Sequence, residues 1–287
     1  MLLPLCTSMI SMRIGYFSGA FGDLPFKKAM EALARIGYDG GELCTWKGYP
    51  ADLDTLSKEG WKKIEETAGE LGLMIPAVGH GSIDCSSSTE ARRGGVERTY
   101  RNVDFAATVG ARVVDVTTGM APPGMPEADA WRFLTEGLSE CADYAMARGC
   151  VLGLEPHINT IIDAPDKVLR AIDAVRSKAL GVNLDASHFA VLGFDVLSCT
   201  RELARYTVHT HLKDTRGRYP SHEFLIPGEG AFPTLAFIKT LREVGYDGFI
   251  TAEVAGMRRQ MPGYQPVPAA QIAYETVFKA FRELGLR

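Results

Sequence analysis

The sequence has little of what marks disulfide-rich, membrane-spanning or nucleic-acid-binding proteins. Its six cysteines form no Cys-x-x-Cys pair and show no regular spacing, so we expect them to be reduced. Lys and Arg (31) do not outnumber Asp and Glu (35), and the net charge is -4. This balance gives no electrostatic footprint for nucleic acid or for an anionic membrane. We therefore expect a small-molecule partner.

The start of the chain also lacks the features of a targeting segment. Residues 1–11 are apolar, but they have no basic start and fall far short of the roughly 20 residues that a spanning helix needs. We interpret them as an N-terminal extension, with Met12 as the expected natural start and a weak signal peptide as the alternative. The expected location is cytoplasmic. Residues 12–287 are within the length of one barrel domain.

The remainder alternates short apolar runs with longer helical patterns. Strands are predicted at 13–17, 73–78, 112–116, 151–154, 180–184, 206–211 and 249–254, and a further strand, second in chain order, is predicted to end at about 42–43. Helices are predicted at 25–35, 57–71, 89–109, 127–148, 165–175, 194–204, 234–244 and 269–284. Such alternation favours a parallel sheet covered by helices, and eight pairs favour a closed (β/α)8 TIM barrel. An open doubly wound sheet is the alternative, but no Gly-x-Gly-x-x-Gly follows the first strand.

Ionisable residues recur where four successive apolar runs stop. These residues are Glu155, Asp185, His211 and Glu253. In a parallel barrel the downstream strand ends meet on one face, so the four side chains are expected to lie together. Carboxylates and an imidazole suit an oxygen/nitrogen metal site or a substrate clamp. For Asp185 and the nearby His188, a turn-forming role is the alternative.

The ordered motifs resemble the xylose-isomerase-like TIM-barrel superfamily, in its sugar isomerase/epimerase branch. They are Gly-Leu-Glu-Pro-His at Glu155, Asn-Leu-Asp-Ala-Ser-His at Asp185, His-Thr-His-Leu-Lys-Asp at His211, Gly-Glu-Gly at Glu229, and Glu253. That branch includes ketose 3-epimerases, hydroxypyruvate isomerase and inosose isomerase and dehydratase enzymes. The resemblance covers the chain from about Met12 to its end.

The resemblance implies one divalent metal ion held by Glu155, Asp185, His211 and Glu253. Such hard ligands suit Mn²⁺ or Mg²⁺, with Co²⁺ or Zn²⁺ as alternatives, and the lack of thiolates argues against a structural zinc. The implied reaction is an isomerisation or epimerisation of a sugar or keto-polyol through a metal-stabilised enediolate. In the ketose 3-epimerases the carboxylates matching Glu155 and Glu253 lie on opposite substrate faces and act as acid and base.

Five further residues are candidates for substrate binding: His188, Lys213, Arg216, Glu42 and His80. The first matches a family position that contacts substrate oxygens, and the Lys and Arg could bind a hydroxyl or phosphate. A solvated loop pair is the alternative for Lys213 and the following Asp. Glu42 and His80 face the same rim of the barrel if they lie at the ends of their strands. A further acidic residue, Glu229, is interpreted as part of a tight loop.

Two departures from the ketose 3-epimerase pattern keep other functions open. Ile161 stands where those enzymes carry a further Glu, and Gly217 stands at their substrate Arg. An inosose-type dehydratase therefore remains an alternative, as does a non-catalytic sugar-binding barrel. An endonuclease IV-like enzyme is a further alternative; such enzymes hold three zinc ions with extra histidines, and His222 is the only residue of this sequence that hints at such a site. The acidic charge balance argues against DNA binding. A homodimer is a family-based expectation.

Overall fold

The computed structural model of the chain describes residues 12–86 and 88–287, so the predicted extension at 1–11 lies outside the described residues. Within those ranges, eight parallel strands close into a barrel in the order β1-β2-β3-β4-β5-β6-β7-β10. The barrel strands are β1 (Arg13–Phe17), β2 (Gly40–Cys44), β3 (Ala77–Ile83), β4 (Val113–Thr118), β5 (Val151–Leu154), β6 (Leu180–Asp185), β7 (Thr207–Leu212) and β10 (Phe249–Ala252). The predicted (β/α)8 TIM barrel is confirmed.

Helices cover the outside of the barrel. They are α1 (Phe26–Ile36), α2 (Lys58–Glu70), α3 (Thr89–Val109), α4 (Glu127–Met146), α5 (Pro165–Val175), α6 (Ala186–Leu192), α7 (Val196–Leu203), α8 (Thr234–Glu243), α9 (Gly256–Arg259) and α10 (Pro266–Glu283). A search of the described helices finds none with the length and apolar character needed to cross a bilayer.

Local sequence signals explain the boundaries that the prediction matched. The Ser88 hydroxyl accepts a hydrogen bond from Ala91 N at 3.2 Å and so caps the start of α3, while Gly110 ends the helix with a φ of 74°. A left-handed residue at this position satisfies the last carbonyls of a helix, and glycine adopts it without steric cost. The strands are buried on both faces, as β6 shows along its whole length, which is why they lack polar alternation.

One predicted boundary is wrong, and one helix was missed. Strand β3 begins only at Ala77, because Pro76 cannot donate to a ladder, and the run from Leu73 contributes only an isolated bridge at Met74. His80 therefore lies inside β3 and not beyond its end. The helix predicted around 194–204 is present as α7, but a separate helix α6, which was not predicted, follows Asp185 directly, because that carboxylate caps it.

An antiparallel hairpin between β7 and α8 was not predicted. Its strands are β8 (Asp214–Arg218) and β9 (Ser221–Leu225). Asp214 anchors the hairpin base, since its Oδ1 accepts hydrogen bonds from Thr215 N at 2.8 Å and Phe232 N at 2.7 Å, and its Oδ2 accepts one from Gly228 N at 2.9 Å. The solvated-loop alternative for Lys213 and Asp214 is wrong, because both residues are buried.

Replacing Asp214 by Ala is expected to lower the free energy of unfolding by at least about 3 kcal/mol. The change leaves three backbone N–H groups without their acceptor, and a buried unsatisfied donor costs about 1–3 kcal/mol. Urea unfolding followed by circular dichroism measures the loss. Asp195→Ala is the matched control, because this residue only caps α7 and is worth about 1 kcal/mol. Equal losses in the two variants would contradict the anchoring role.

Candidate active site

The four residues predicted from strand ends converge at the carboxyl end of the barrel. Glu155 directly follows β5, Asp185 ends β6, His211 lies near the end of β7, and Glu253 directly follows β10. One ligand atom from each lies within 4.8 Å of those of the other three. Strand pairing explains this convergence, because Asp185 is the register partner of His211 across β6 and β7, so the two side chains share one layer of the barrel interior.

His211 links the carboxylates of this cluster. Its Nδ1 lies 3.1 Å from Glu155 Oε1 and 3.0 Å from Glu253 Oε2, while its Nε2 lies 2.8 Å from Glu42 Oε2. Burial alone would lower the pKa of His211, but the carboxylates of Glu42 and Glu253 outweigh this effect and raise it well above its usual value. Glu42 also lies 2.8 Å from His209 Nε2, one layer deeper.

The two carboxylates expected to act as acid and base differ in their surroundings. Burial and the nearby Asp115 carboxylate raise the pKa of Glu155. Burial also acts on Glu253, but Lys213 and His211 outweigh it and hold the pKa of that carboxyl well below its usual value. A cation bound among these groups would favour the ionised form of each.

The two carboxylate oxygens of Asp185 have different roles, one in capping a helix and the other in the cluster. Oδ1 accepts a hydrogen bond from Ser187 N at 2.9 Å and so caps α6. Oδ2 is in ionic contact with the Lys213 ammonium and lies 3.6 Å from His188 Nε2. The turn-forming role and the role in the cluster therefore coexist in this residue.

The donor set fits a hard divalent cation. Three carboxylates and one imidazole are gathered in a largely buried space, and Asp185 Oδ2 has spare accepting capacity. In the structure the positive charge here comes from His211, whose pKa is raised, and from Lys213, whose Nζ lies 2.8 Å from Glu253 Oε2 and 3.8 Å from Glu155 Oε1. Buried carboxylates need such compensation, because an uncompensated charge in a protein interior is costly.

A second polar group lies beside the cluster on β3, β4 and β6. His80 Nδ1 is in ionic contact with Asp115 Oδ2, while Asp115 Oδ1 accepts a hydrogen bond from Asn183 Nδ2 at 2.8 Å. The register of β3 against β4 shifts between Gly79 and Gly81, which leaves His80 unpaired in a bulge. The contribution of Asp115 and Asn183 was not predicted, although a carboxylate inside an apolar strand is a usable signal.

Glycine makes room for these side chains. A Cβ added at Gly79 would lie 3.0 Å from Asp115 Cβ and 3.5 Å from Glu42 Oε1.

The imidazole of His80 stacks on Trp46, with ring centroids 4.8 Å apart. Burial by itself lowers the pKa of His80, but the Asp115 carboxylate reverses this effect and raises it.

A cavity of about 720 Å³ opens above the cluster. Its lining comprises Trp46, His80, Gly81, Ser82, Gly95, Arg98, Thr117, Thr118, Glu155, His157, Ile158, Asn159, Thr160, His188, Lys213, Phe224, Glu253, Ala255, Gly256 and Met257. The predicted substrate-binding residues His80, His188 and Lys213 are thus at the cavity wall. Glu42 is fully buried beneath it, where it holds His209 and His211.

His188 is buried within α6 and packs against His157, with ring centroids 3.8 Å apart and ring planes tilted by 42°. Neither of its ring nitrogens has a hydrogen-bond partner among residues 12–86 and 88–287. Burial and the Lys213 ammonium lower its pKa well below the usual value, so the ring is neutral. A neutral imidazole at the cavity wall can both accept and donate a hydrogen bond.

Other candidates lie apart from the cluster. Arg216 is on the exposed hairpin, where its Nη1 contacts Glu223 Oε2 at 2.9 Å. Glu229 pairs with Arg258, which agrees with its interpretation as part of a loop. His222, the only hint of an endonuclease IV-like site, lies in β9 and belongs to none of the potential metal-binding groups found in the described chain.

Known proteins show the same fold and related sequences. Fructoselysine 3-epimerase of Shigella flexneri is 28% identical over 261 residues, which cover 88% of this chain and 93% of that protein. Inosose dehydratase of Clostridium perfringens (strain 13 / Type A) is 22% identical over 255 residues, which cover 79% and 82%. The crystal structure of the IolI protein with a bound zinc atom matches with a TM-score of 0.81 at 17% identity, covering 95% of this chain and 99% of that one.

A family match covers most of the chain. The family described as xylose isomerase-like TIM barrel matches residues 30–284. This match contains every barrel strand except β1, and it contains all four residues of the metal-compatible cluster. It confirms the resemblance drawn from the motifs, so the chain belongs to the xylose isomerase-like TIM barrel family.

Proposed function

We propose that this protein is a divalent-metal-dependent isomerase or epimerase acting on a ketose or keto-polyol. The observation that carries the proposal is the placement of Glu155 and Glu253. Both line the cavity, and both contact the same His211 Nδ1, at 3.1 and 3.0 Å. Two carboxylates that share one small-molecule cavity can serve as proton acceptor and proton donor to the same substrate carbon.

The chain's own residues supply the proton transfer and the orientation. One of Glu155 and Glu253 removes the proton next to the substrate carbonyl, and the other returns a proton. His211, held from below by Glu42, fixes both carboxylates. Asp185, held in place as a helix cap, completes the ligand set with His211 and the two glutamates. A bound Mn²⁺ or Mg²⁺ would act as a Lewis acid that polarises the carbonyl and lowers the cost of forming the enediolate.

The direction of proton return decides the product. Return to the same carbon from the opposite face gives an epimer, whereas return to the neighbouring carbon gives an aldose/ketose isomer. The name of the Shigella relative favours epimerisation. His188 and Lys213, at the cavity wall beside Asp185, are the residues best placed to hold substrate oxygens.

Inosose-type dehydration is the second candidate, favoured by His80 at the cavity wall. His80 is held by Asp115 and its pKa is raised, so it provides an acid apart from the two glutamates. Dehydration begins with the same proton removal but then needs an acid to protonate the departing hydroxyl. The name of the Clostridium relative supports this alternative.

Metal-loaded protein incubated in D₂O with ketoses, keto-inositols and hydroxypyruvate tests both candidates. We expect NMR to show metal-dependent deuterium uptake at a carbon next to a carbonyl. Uptake with retention of the carbon skeleton and its hydroxyls supports epimerisation or isomerisation, whereas loss of a hydroxyl supports dehydration. Protein that binds Mn²⁺ yet exchanges no proton in any compound would overturn the proposal.

A further inference from the structure

A second polar region of the cavity wall comes from α3 and the end of β3. It consists of Ser82, Gly95 and Arg98. The Arg98 side chain is 23% exposed and makes no polar contact with the four cluster residues within the described chain. The charge of this arginine is therefore separate from the charge balance of the carboxylates, in which Lys213 takes part.

The positive charge of Arg98 is only partly compensated. Its Nη1 lies 3.1 Å from Asp54 Oδ1, but the same oxygen lies closer, at 2.7 Å, to Arg101 Nη1. The hydrogen bond to Arg101 is also the main cause that lowers the pKa of Asp54. One carboxylate shared by two guanidinium groups therefore compensates the charge of Arg98 only in part.

Arg98 is held in place and keeps donors free. Its Nη2 donates to the Thr45 carbonyl oxygen, and Asn102, one helical turn further along α3, donates from Nδ2 to the His80 carbonyl oxygen at 3.1 Å. A guanidinium group has five N–H donors, and the contacts to Thr45 and Asp54 use two of them. The remaining N–H groups can bind a carboxylate or a phosphate, and a guanidinium that is already positioned loses less entropy on binding.

The cavity is larger than a simple sugar requires. Even at the ~30 Å³ that liquid water gives each molecule, the roughly 12 heavy atoms of a six-carbon ketose fill about half of the 720 Å³. The space that remains is sufficient for a further substituent. Arg98 is the arginine in the wall of that space.

We propose that the substrate carries an anionic group, a carboxylate or a phosphate, away from its reacting carbon, and that Arg98 binds this group. The inference rests on the proposed function, because the reacting carbon is assigned to the Glu155 and Glu253 end of the cavity. It adds a class of substrate, an acidic or phosphorylated keto-sugar, and a residue that selects for it.

Three matched ketoses test this proposal: D-fructose, D-fructuronate with a carboxylate at C6, and D-fructose 6-phosphate. Calorimetric titration of the Mn²⁺-loaded protein measures binding independently of turnover. We expect at least one acidic compound to bind about 10- to 100-fold more tightly than D-fructose, the range of a hydrogen bond to a charged group. Arg98→Met is expected to remove that preference, because it should weaken binding of the acidic compound far more than binding of D-fructose. The acidic compound that is preferred distinguishes a carboxylate from a phosphate site.

Two further variants make the test specific. Arg93→Met removes a charge from the same helix, but its side chain pairs with Glu97 and Glu140 outside the cavity, so it should keep the preference. Asp54→Asn, at a half-exposed site, removes the competing carboxylate and should tighten binding of the acidic compound several-fold. Absence of any preference, or equal losses for neutral and acidic ketoses in Arg98→Met, would overturn the inference. Acid-selective binding without proton exchange would instead remove the proposed reaction and leave Arg98 as the anion-binding residue.

Discussion

Replacing Glu155 by Gln is expected to reduce kcat for deuterium exchange by at least about 10²-fold, the lower end of what general acid/base catalysis contributes. Gln keeps the size of the side chain and an oxygen that can ligate, but its amide cannot take up the substrate proton. Mn²⁺ affinity should therefore change far less than kcat. Exchange monitored by NMR gives the rate, and Mn²⁺ titration by electron paramagnetic resonance gives the affinity.

Glu253→Gln is expected to show a similar loss, and the double variant should be little worse than either single one. Residues that act as a unit in one reaction, here one removing and the other returning a proton, lose their effect together. Glu127→Gln is the matched control, because this exposed carboxylate on α4 only pairs with Arg170. If Glu155→Gln kept kcat within about threefold and changed only KM, the residue would serve binding alone. That result would remove Glu155 from the proton transfer, whereas absence of exchange in metal-loaded wild-type protein would favour the non-catalytic sugar-binding barrel.

The barrel was predictable from sequence because its strands and helices carry strong local signals. Gly37, Gly72, Gly110 and Gly149 end helices or follow them with positive φ, and the apolar runs between these stops correspond to most of the strands. The signal failed where tertiary contacts decide the structure. The β8–β9 hairpin is held by Asp214 through partners up to 18 residues away, and no local periodicity announces such contacts.

The cluster was predictable for a topological reason, whereas its surroundings were not. The strand ends of a parallel barrel meet on one face, whatever the details of packing. Glu155 and Glu253 could therefore be predicted to lie together, although 98 positions separate them in the sequence and no local pattern links them. Asp115 and Asn183 escaped notice because they lie inside strands, where sequence alone does not say which partner satisfies them. Arg98 escaped because helix α3 brings it to the cavity by packing.

Lys213→Met is expected to destabilise the protein by about 3–5 kcal/mol when divalent metal is removed with EDTA. The variant leaves Glu155, Asp185 and Glu253 without the ammonium that contacts all three, and breaking a buried ion pair from one side costs about that much. Met keeps most of the packing volume of the Lys stem, but it lacks the ammonium that lies 5.6 Å from the Phe224 ring centroid. Urea unfolding in EDTA measures the loss, and Lys239→Met, at an exposed pair with Glu243, should lose less than about 0.5 kcal/mol.

The same variant is expected to bind Mn²⁺ more tightly than the wild-type protein. The ammonium and the metal ion are two cations that neutralise the same set of carboxylates. Each therefore lowers the free energy that the other gains from these carboxylates, and this coupling is reciprocal. Added Mn²⁺ should therefore restore more stability to Lys213→Met than it adds to the wild type. Weaker Mn²⁺ binding in the variant would contradict this competition and show that the ammonium supports the metal site. Tighter binding would instead mean that the metal frees Lys213 from the carboxylates, so that its ammonium can serve substrate oxygens in the cavity that it lines.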